Sequence, residues 1–436
     1  MPSSIIFKNK QPVHKHKKEL FVLIIIGLIT ISTLIIYTYI INKPLFDSDL
    51  PRVNIYYEKT PDHEDYVDCN FELTSEKMEE NTPIINSKIK LSGNPASWKD
   101  KVSYRLQLSQ RISLLSMRKD DDWVLMGLFL DYTRMRTKMC FDLYRSLQPS
   151  NPSAILPDSE YVCLYINGEF QGLYLLAEKV DRRLFNLDDA QNNMDSSLIF
   201  QVKGFTDLRK YEQDRWVQDW PNEDEDIYIM DEILTELIEF VNNTKDDVFF
   251  SPETGVYTKF EKLNLIDFYI YNFFILHTDF WYKNYILIRN TNPDKFCFIP
   301  LDFDGSLGQI GWHLEDSNAN YELFIAYAHR LFDRLINNDN FIADCKNRWG
   351  QLRENLWTDK FILDMLSDIH NDIKEILDFE MNKWKPETVE KEPDSGWPDF
   401  VIYSTKEFDL DEYLKSLFEF IPERLDFCDI YFSYDQ

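Results

Sequence analysis

The chain has 436 residues, with 47 Lys and Arg against 75 Asp and Glu, a formal charge of −28, and 44% apolar and 15% aromatic residues. That apolar content excludes a disordered chain, and the length allows one large domain or two lobes with a real core. The acidity excludes general nucleic-acid binding, because such a surface repels a phosphate backbone.

In chain order, a basic tail over 1–19 carries Lys8, Lys10, Lys15, Lys17 and Lys18. Leu20 to Ile41 are 22 residues without charge; as a helix they would span roughly 33 Å, enough for a bilayer. Lys-rich flank before and acids after predict an uncleaved signal anchor with the N-terminus cytosolic and the body on the far side. Residues 1–43 hold six Lys and one Glu, so the remainder carries −33. None of the six cysteines forms a CxxC pair, which leaves zinc and redox motifs without support. Asn242-Asn243-Thr244 is a glycosylation sequon of the kind found on luminal surfaces.

Residues 42–83, polar and rich in proline, read as a stalk and lead-in. Tyr104, Leu106 and Leu108 alternate with polar residues and predict a half-buried strand; Lys101 precedes it and Arg105 lies within it. The spacing of Met135, Met139, Leu143 and Leu147 predicts a helix over 131–147, with Arg136 either packing or reaching a site. Asn167-Gly168 between two apolar runs predicts a two-residue hairpin. Its second strand runs out at Glu178 and Lys179, and DRRLFNL after it looks helical. Helices are predicted over 230–243 and 261–276, the second buried, delivering His277-Thr278-Asp279. Residues 310–436 read as helical, broken by a Pro-rich loop at 383–400.

Tyr285–Arg289 and Phe296–Pro300 are strand-like, and Thr291 to Asp294 supply turn chemistry. Folded about Pro293, the hairpin would bring Asn284 and Asp302 to one open end, with Asp279 just upstream. Hard oxygen donors of this type suit Mg²⁺ or Mn²⁺ carrying phosphates. On an acidic body, an anionic nucleotide would need that cation.

The order of these elements resembles a protein-kinase-like fold: HTDFWYKN resembles the catalytic loop and LDFDG the metal-binding loop of kinases. More narrowly, SGNPASWKDKVSYRLQL, DYTRMRTKMCFDLY, YVCLYINGEFQGLYLLAEKVD and HTDFWYKNY…PLDFDGSLG are similar to the CotH kinase family, named for spore-coat protein H. The resemblance covers roughly residues 88–310.

It implies an α+β, two-lobed kinase-like fold with a β-rich N-lobe over 84–180 and a helical C-lobe over 181–436. It also implies ATP with divalent metal and phosphorylation of Ser or Thr in partner proteins, while the apolar run and its flanks imply a single-pass type II membrane protein whose body is luminal or extracellular. Asp279 would be catalytic, with Asn284 and Asp302 holding metal. Asp304 would be either a further ligand or a turn cap. The linker after the hairpin would face adenine, Glu178 and Lys179 acting through side chain or backbone. Ser92-Gly93 and Lys101-Val102 depart from the family's Arg-Gly and Lys-Lys pairs. The phosphate-gripping cation is therefore Lys101, Arg105 or neither, and a tethered scaffold without turnover is the alternative reading.

Overall fold

The computed structural model describes residues 48–93, 101–277, 283–309, 318–320, 329–385 and 408–434. The fold is mixed α+β. Among the described residues no helix is long and apolar enough to cross a membrane; the anchor expected at Leu20–Ile41 lies outside them, as does most of the Pro-rich loop.

The first half closes into a barrel. Its strands are β1 (Arg52–Tyr56), β2 (Val67–Thr74), β3 (Ile85–Ser92), β4 (Ser103–Ile112), β5 (Asp120–Met126), β6 (Ser159–Ile166) and β7 (Glu169–Glu178). They run in the order β1-β2-β3-β4-β5-β7-β6, and a parallel pairing of β1 with β6 closes the ring. Closure leaves no unpaired edge. Alternation places Val53, Ile55, Phe71, Leu73, Ile89, Leu106, Trp123, Leu125, Val162 and Leu164 in the shared core. The residues read as lead-in thus supply two barrel strands, and the barrel begins at Arg52 rather than near residue 84. The β6–β7 turn is as expected: Asn167 and Gly168 take φ of 51° and 84°, the positive pair that a type I′ hairpin requires.

Helix α1 (Arg136–Arg145) starts later than the spacing predicts. Asp131 accepts hydrogen bonds from the backbone N–H groups of Thr133 (3.1 Å) and Arg136 (2.6 Å). Arg134 between them is left-handed at φ 62°, so the first turn is a capped loop. Residues 181–187 also form turns rather than a helix, because the Asp181 carboxylate accepts from the N–H groups of Arg183 and Leu184.

A second sheet has the order β11-β10-β8-β9: β8 (Leu198–Val202), β9 (Trp216–Trp220), β10 (Tyr285–Arg289) and β11 (Cys297–Pro300). Around it stand α2 (Met230–Asn243), α3 (Asp246–Phe249), α4 (Val256–Lys259), α5 (Lys262–Phe274), α6 (Arg330–Ile336), α7 (Asp339–Asn355), α8 (Asp359–Lys383) and α9 (Leu410–Tyr431). Every residue of α5 from Asn264 to Phe274 is buried. Asn264 fixes it to the sheet, giving Nδ2–H to the Phe298 carbonyl (3.1 Å) and accepting from the Phe298 N–H (2.7 Å). The sequon asparagine is engaged: Asn242 Nδ2 donates to the carbonyls of Leu208 (2.8 Å) and Ile238 (2.7 Å). None of the six cysteines is joined in a disulfide, and five of them are buried.

Candidate active site

Helix α5 is buried, so its terminal carbonyls need partners other than water. The buried Arg424 guanidinium of α9 supplies them, donating to the carbonyls of Phe274 (3.2 Å), Phe273 and Ala319 (2.8 Å). The chain leaving α5 is pinned again where the Leu307 N–H donates to the Ile275 carbonyl (2.6 Å). These contacts set His277, itself fully buried. Its Nε2 lies 2.7 Å from the carbonyl oxygen of Asp302, so the tautomer protonated at Nε2 makes the bond. The ring meets Phe303 edge-on, centroids 5.5 Å apart. Asp279, two residues on, lies outside the described residues.

The β10–β11 hairpin gathers the expected ligands with a shift of half a step. Tyr285 faces Pro300, so Asn284 faces Leu301, whose N–H donates to the Asn284 carbonyl at 2.7 Å. Asp302 follows immediately at the same open end. Asn284 and Asp302 are both left-handed, φ 63° and 59°, a conformation that Asn and Asp tolerate better than other non-glycine residues. The Asp302 side chain is exposed and Asp304 half-buried. Phe303 between them is buried against Phe141 (5.7 Å) and Tyr271 (6.1 Å). Ser306 Oγ donates to the Phe303 carbonyl at 2.6 Å. One anchored aromatic therefore fixes the backbone between the two acids, and an amide with one or two carboxylates fits a hard divalent cation.

The expected nucleotide contacts fall in different places. Lys101 is fully buried: its Nζ is 2.6 Å from Glu380 Oε1 and donates to the Leu173 carbonyl. Arg134 Nε shares the same carboxylate oxygen at 2.8 Å, and the Leu173 N–H donates to the other at 2.8 Å. Burial pulls the Lys101 ammonium down to about 7 against the attraction of Glu380. Burial alone would raise the Glu380 carboxyl, but Lys101 and Arg134 outweigh it and hold it below the usual range. Two cations around one carboxylate favour the charged carboxylate, so we assign Glu380 as ionised. Sequence reasoning missed Glu380 altogether, since nothing distinguishes it from the other acids of α8.

Arg136, buried, closes onto Asp131 at 3.1 Å and not onto the hairpin end. Arg105 is exposed on β4. Glu178 is buried and structural in its contacts: one oxygen accepts from the Arg118 N–H (3.1 Å), the other from the Asp158 N–H (3.0 Å). Its side chain is thus occupied, which leaves backbone groups to the linker. Lys179 is 3.5 Å from Asp122. Asp120, Asp121 and Asp122 are close enough to share a cation, but Arg118, Arg183 and Lys179 already pair with them. That cluster is an ion lattice that ties the linker to β5.

A family model described as "CotH kinase protein" matches residues 89–428. The crystal structure of a Helicobacter pylori proinflammatory kinase, CtkA, is similar at 10% identity and a TM-score of 0.25, over 79% of this chain and 96% of that one. No curated protein matches the chain.

Proposed function

The chain belongs to the CotH kinase family, and from that premise we propose an atypical secretory-pathway protein kinase that moves the γ-phosphoryl group of ATP to Ser or Thr hydroxyls of partner proteins. One observation carries the reading. Asn284 and Asp302, 18 positions apart in sequence, meet at one end of a hairpin, and His277 holds the backbone of Asp302. In this reading the barrel is the smaller lobe, the second sheet with its helices is the larger, and Glu178 to Val180 join them. Asn284, Asp302 and Asp304 would hold Mg²⁺ or Mn²⁺, and that cation would supply positive charge to offset the phosphates. Asp279 orients the acceptor hydroxyl and takes its proton as the new O–P bond forms and the bond from the γ-phosphorus to the β,γ-bridging oxygen breaks, ADP leaving. Leu20–Ile41 with the lysines before it supports a type II membrane protein with this body luminal or extracellular.

A second reading, a tethered scaffold without turnover, is favoured by one observation: the ammonium of Lys101 is already spoken for by Glu380. Phosphate transfer from labelled ATP with Mn²⁺ separates the two. The kinase reading expects incorporation that drops by about 10²–10⁴ in Asp279→Asn and is lost in Asp302→Asn. Turnover that survives both substitutions removes those acids from the mechanism. No ATP-dependent rise in melting temperature in the wild-type chain supports the scaffold.

A further inference from the structure

The barrel does not offer Lys101 to a ligand, so a metal-bound nucleotide needs another cation. Strand β8 pairs with β10 so that Gln201 faces Ile286. Carried two residues further, this register sets Lys203 opposite Asn284. The strand geometry extends that far on the other side, because the Lys203 N–H donates to the Arg215 carbonyl of the β9 approach at 2.8 Å. Since Asn284 in turn faces Leu301, Lys203, Asn284 and Asp302 occupy the same end of three neighbouring strands. Lys203 is exposed there.

The same place is marked from a second direction. Asp219 on β9 has Arg105 of β4, Lys179 of the linker and Lys203 of β8 as the cations that act on it. Asp219 is exposed, and desolvation keeps its affinity for a proton above the ordinary carboxylate value, against those three charges. Arg105, Lys179 and Lys203, from three separate elements, thus each act on one carboxylate in a body of net −33. Such a focus of positive charge is where an anion is drawn.

We propose that Lys203 is the residue that grips the nucleotide phosphates beside the metal ligands. The assignment rests on the kinase reading above. It answers which cation serves the phosphates: one from the end of β8, not the lysine before β4. An ammonium two strands away from the Asp302 carboxylate complements a metal-bound triphosphate as a point charge.

The experiment is ATP binding to the full chain in detergent with Mn²⁺, by calorimetry, with adenosine as the uncharged probe. In Lys203→Met the ATP dissociation constant rises about tenfold or more, adenosine binding stays as in wild type, Lys203→Arg recovers most of the loss, and the melting temperature is unchanged. In the wild-type chain, ATP with Mn²⁺ shields Lys203 from acetylation, read by mass spectrometry. Lys203→Met binding ATP like wild type, or Lys203 acetylating equally with and without ATP, overturns the assignment while the kinase reading stands. A wild-type chain that binds neither ATP nor adenosine overturns the kinase reading itself, and this assignment with it.

Discussion

Lys101 and Glu380 are 279 positions apart in sequence and 2.6 Å apart in space, both side chains without solvent exposure. The pair ties the approach to β4 to the last turn of α8, and Arg134 joins it from the loop before α1. Gly172 makes room: a Cβ there would lie 2.4 Å from Glu380 Oε2. Removing the carboxylate strands two buried cations. Glu380→Gln is therefore expected to lose about 3–5 kcal/mol of stability in urea unfolding. The double variant Lys101→Met with Glu380→Gln loses less than the sum of the singles, since the charges are lost together. Additive losses would mean that the pair contributes nothing as a pair.

Acid sensitivity should trace in part to His329. It is buried among Tyr285, Phe298 and Phe332, with Nε2 3.3 Å from the Tyr285 hydroxyl. Burial pulls its pKa from 6.5 down to about 3. Below 6.5 the unfolded chain binds a proton that the folded chain refuses, so stability falls as pH drops through that window, by up to about 1.4 kcal/mol per unit. His329→Gln removes this contribution. The stability gap between wild type and variant should narrow as pH falls from about 7 to about 4.5. Parallel curves would show that His329 takes up its proton without unfolding.

Gly308 is a packing constraint on the loop that carries the acids. Its φ is +84°, and a Cβ would lie 2.7 Å from the Phe420 ring of α9. Both the backbone and the contact resist a side chain, so Gly308→Ala is expected to destabilise by about 1–3 kcal/mol. It should also loosen the Asp302–Ser306 turn. A melting temperature equal to wild type would contradict the close approach.

What the sequence made legible is local. Asn167-Gly168, the alternation around Leu106, the stripe of α2 and the apolar run of α5 each write their conformation within a dozen residues. The meeting of Asn284 with Asp302 was legible because a hairpin maps sequence symmetry onto space, and the half-step error came from centring it on Pro293 when the register centres just before it. Strand β2 alternates Val67, Cys69, Phe71 and Leu73 inward, but the acids between them made the segment look like a stalk. Strand β1 is only five residues and gains its place through a parallel partner over 100 positions away. Glu380 was invisible for the same reason: its burial depends on where α8 lands, and no local pattern encodes that.

His277 and Asp302 give the last test, because the two act at different atoms. Asp302 offers an exposed carboxylate, and His277 holds only its backbone carbonyl. Asp302→Asn should leave the ligand-free melting temperature within about 0.5 kcal/mol equivalent of wild type, as for an exposed substitution, while it abolishes the rise produced by ATP with Mn²⁺. His277→Phe keeps the ring against Phe303 but loses the 2.7 Å bond. It buries an unpaired carbonyl, at about 1–3 kcal/mol, and lets the carboxylate drift. Its signature is then a weaker dependence on Mn²⁺ concentration together with reduced stability, whereas Asp302→Asn alters the metal response alone. If His277→Phe lowers stability yet leaves Mn²⁺ affinity untouched, the histidine braces the core without positioning the acid.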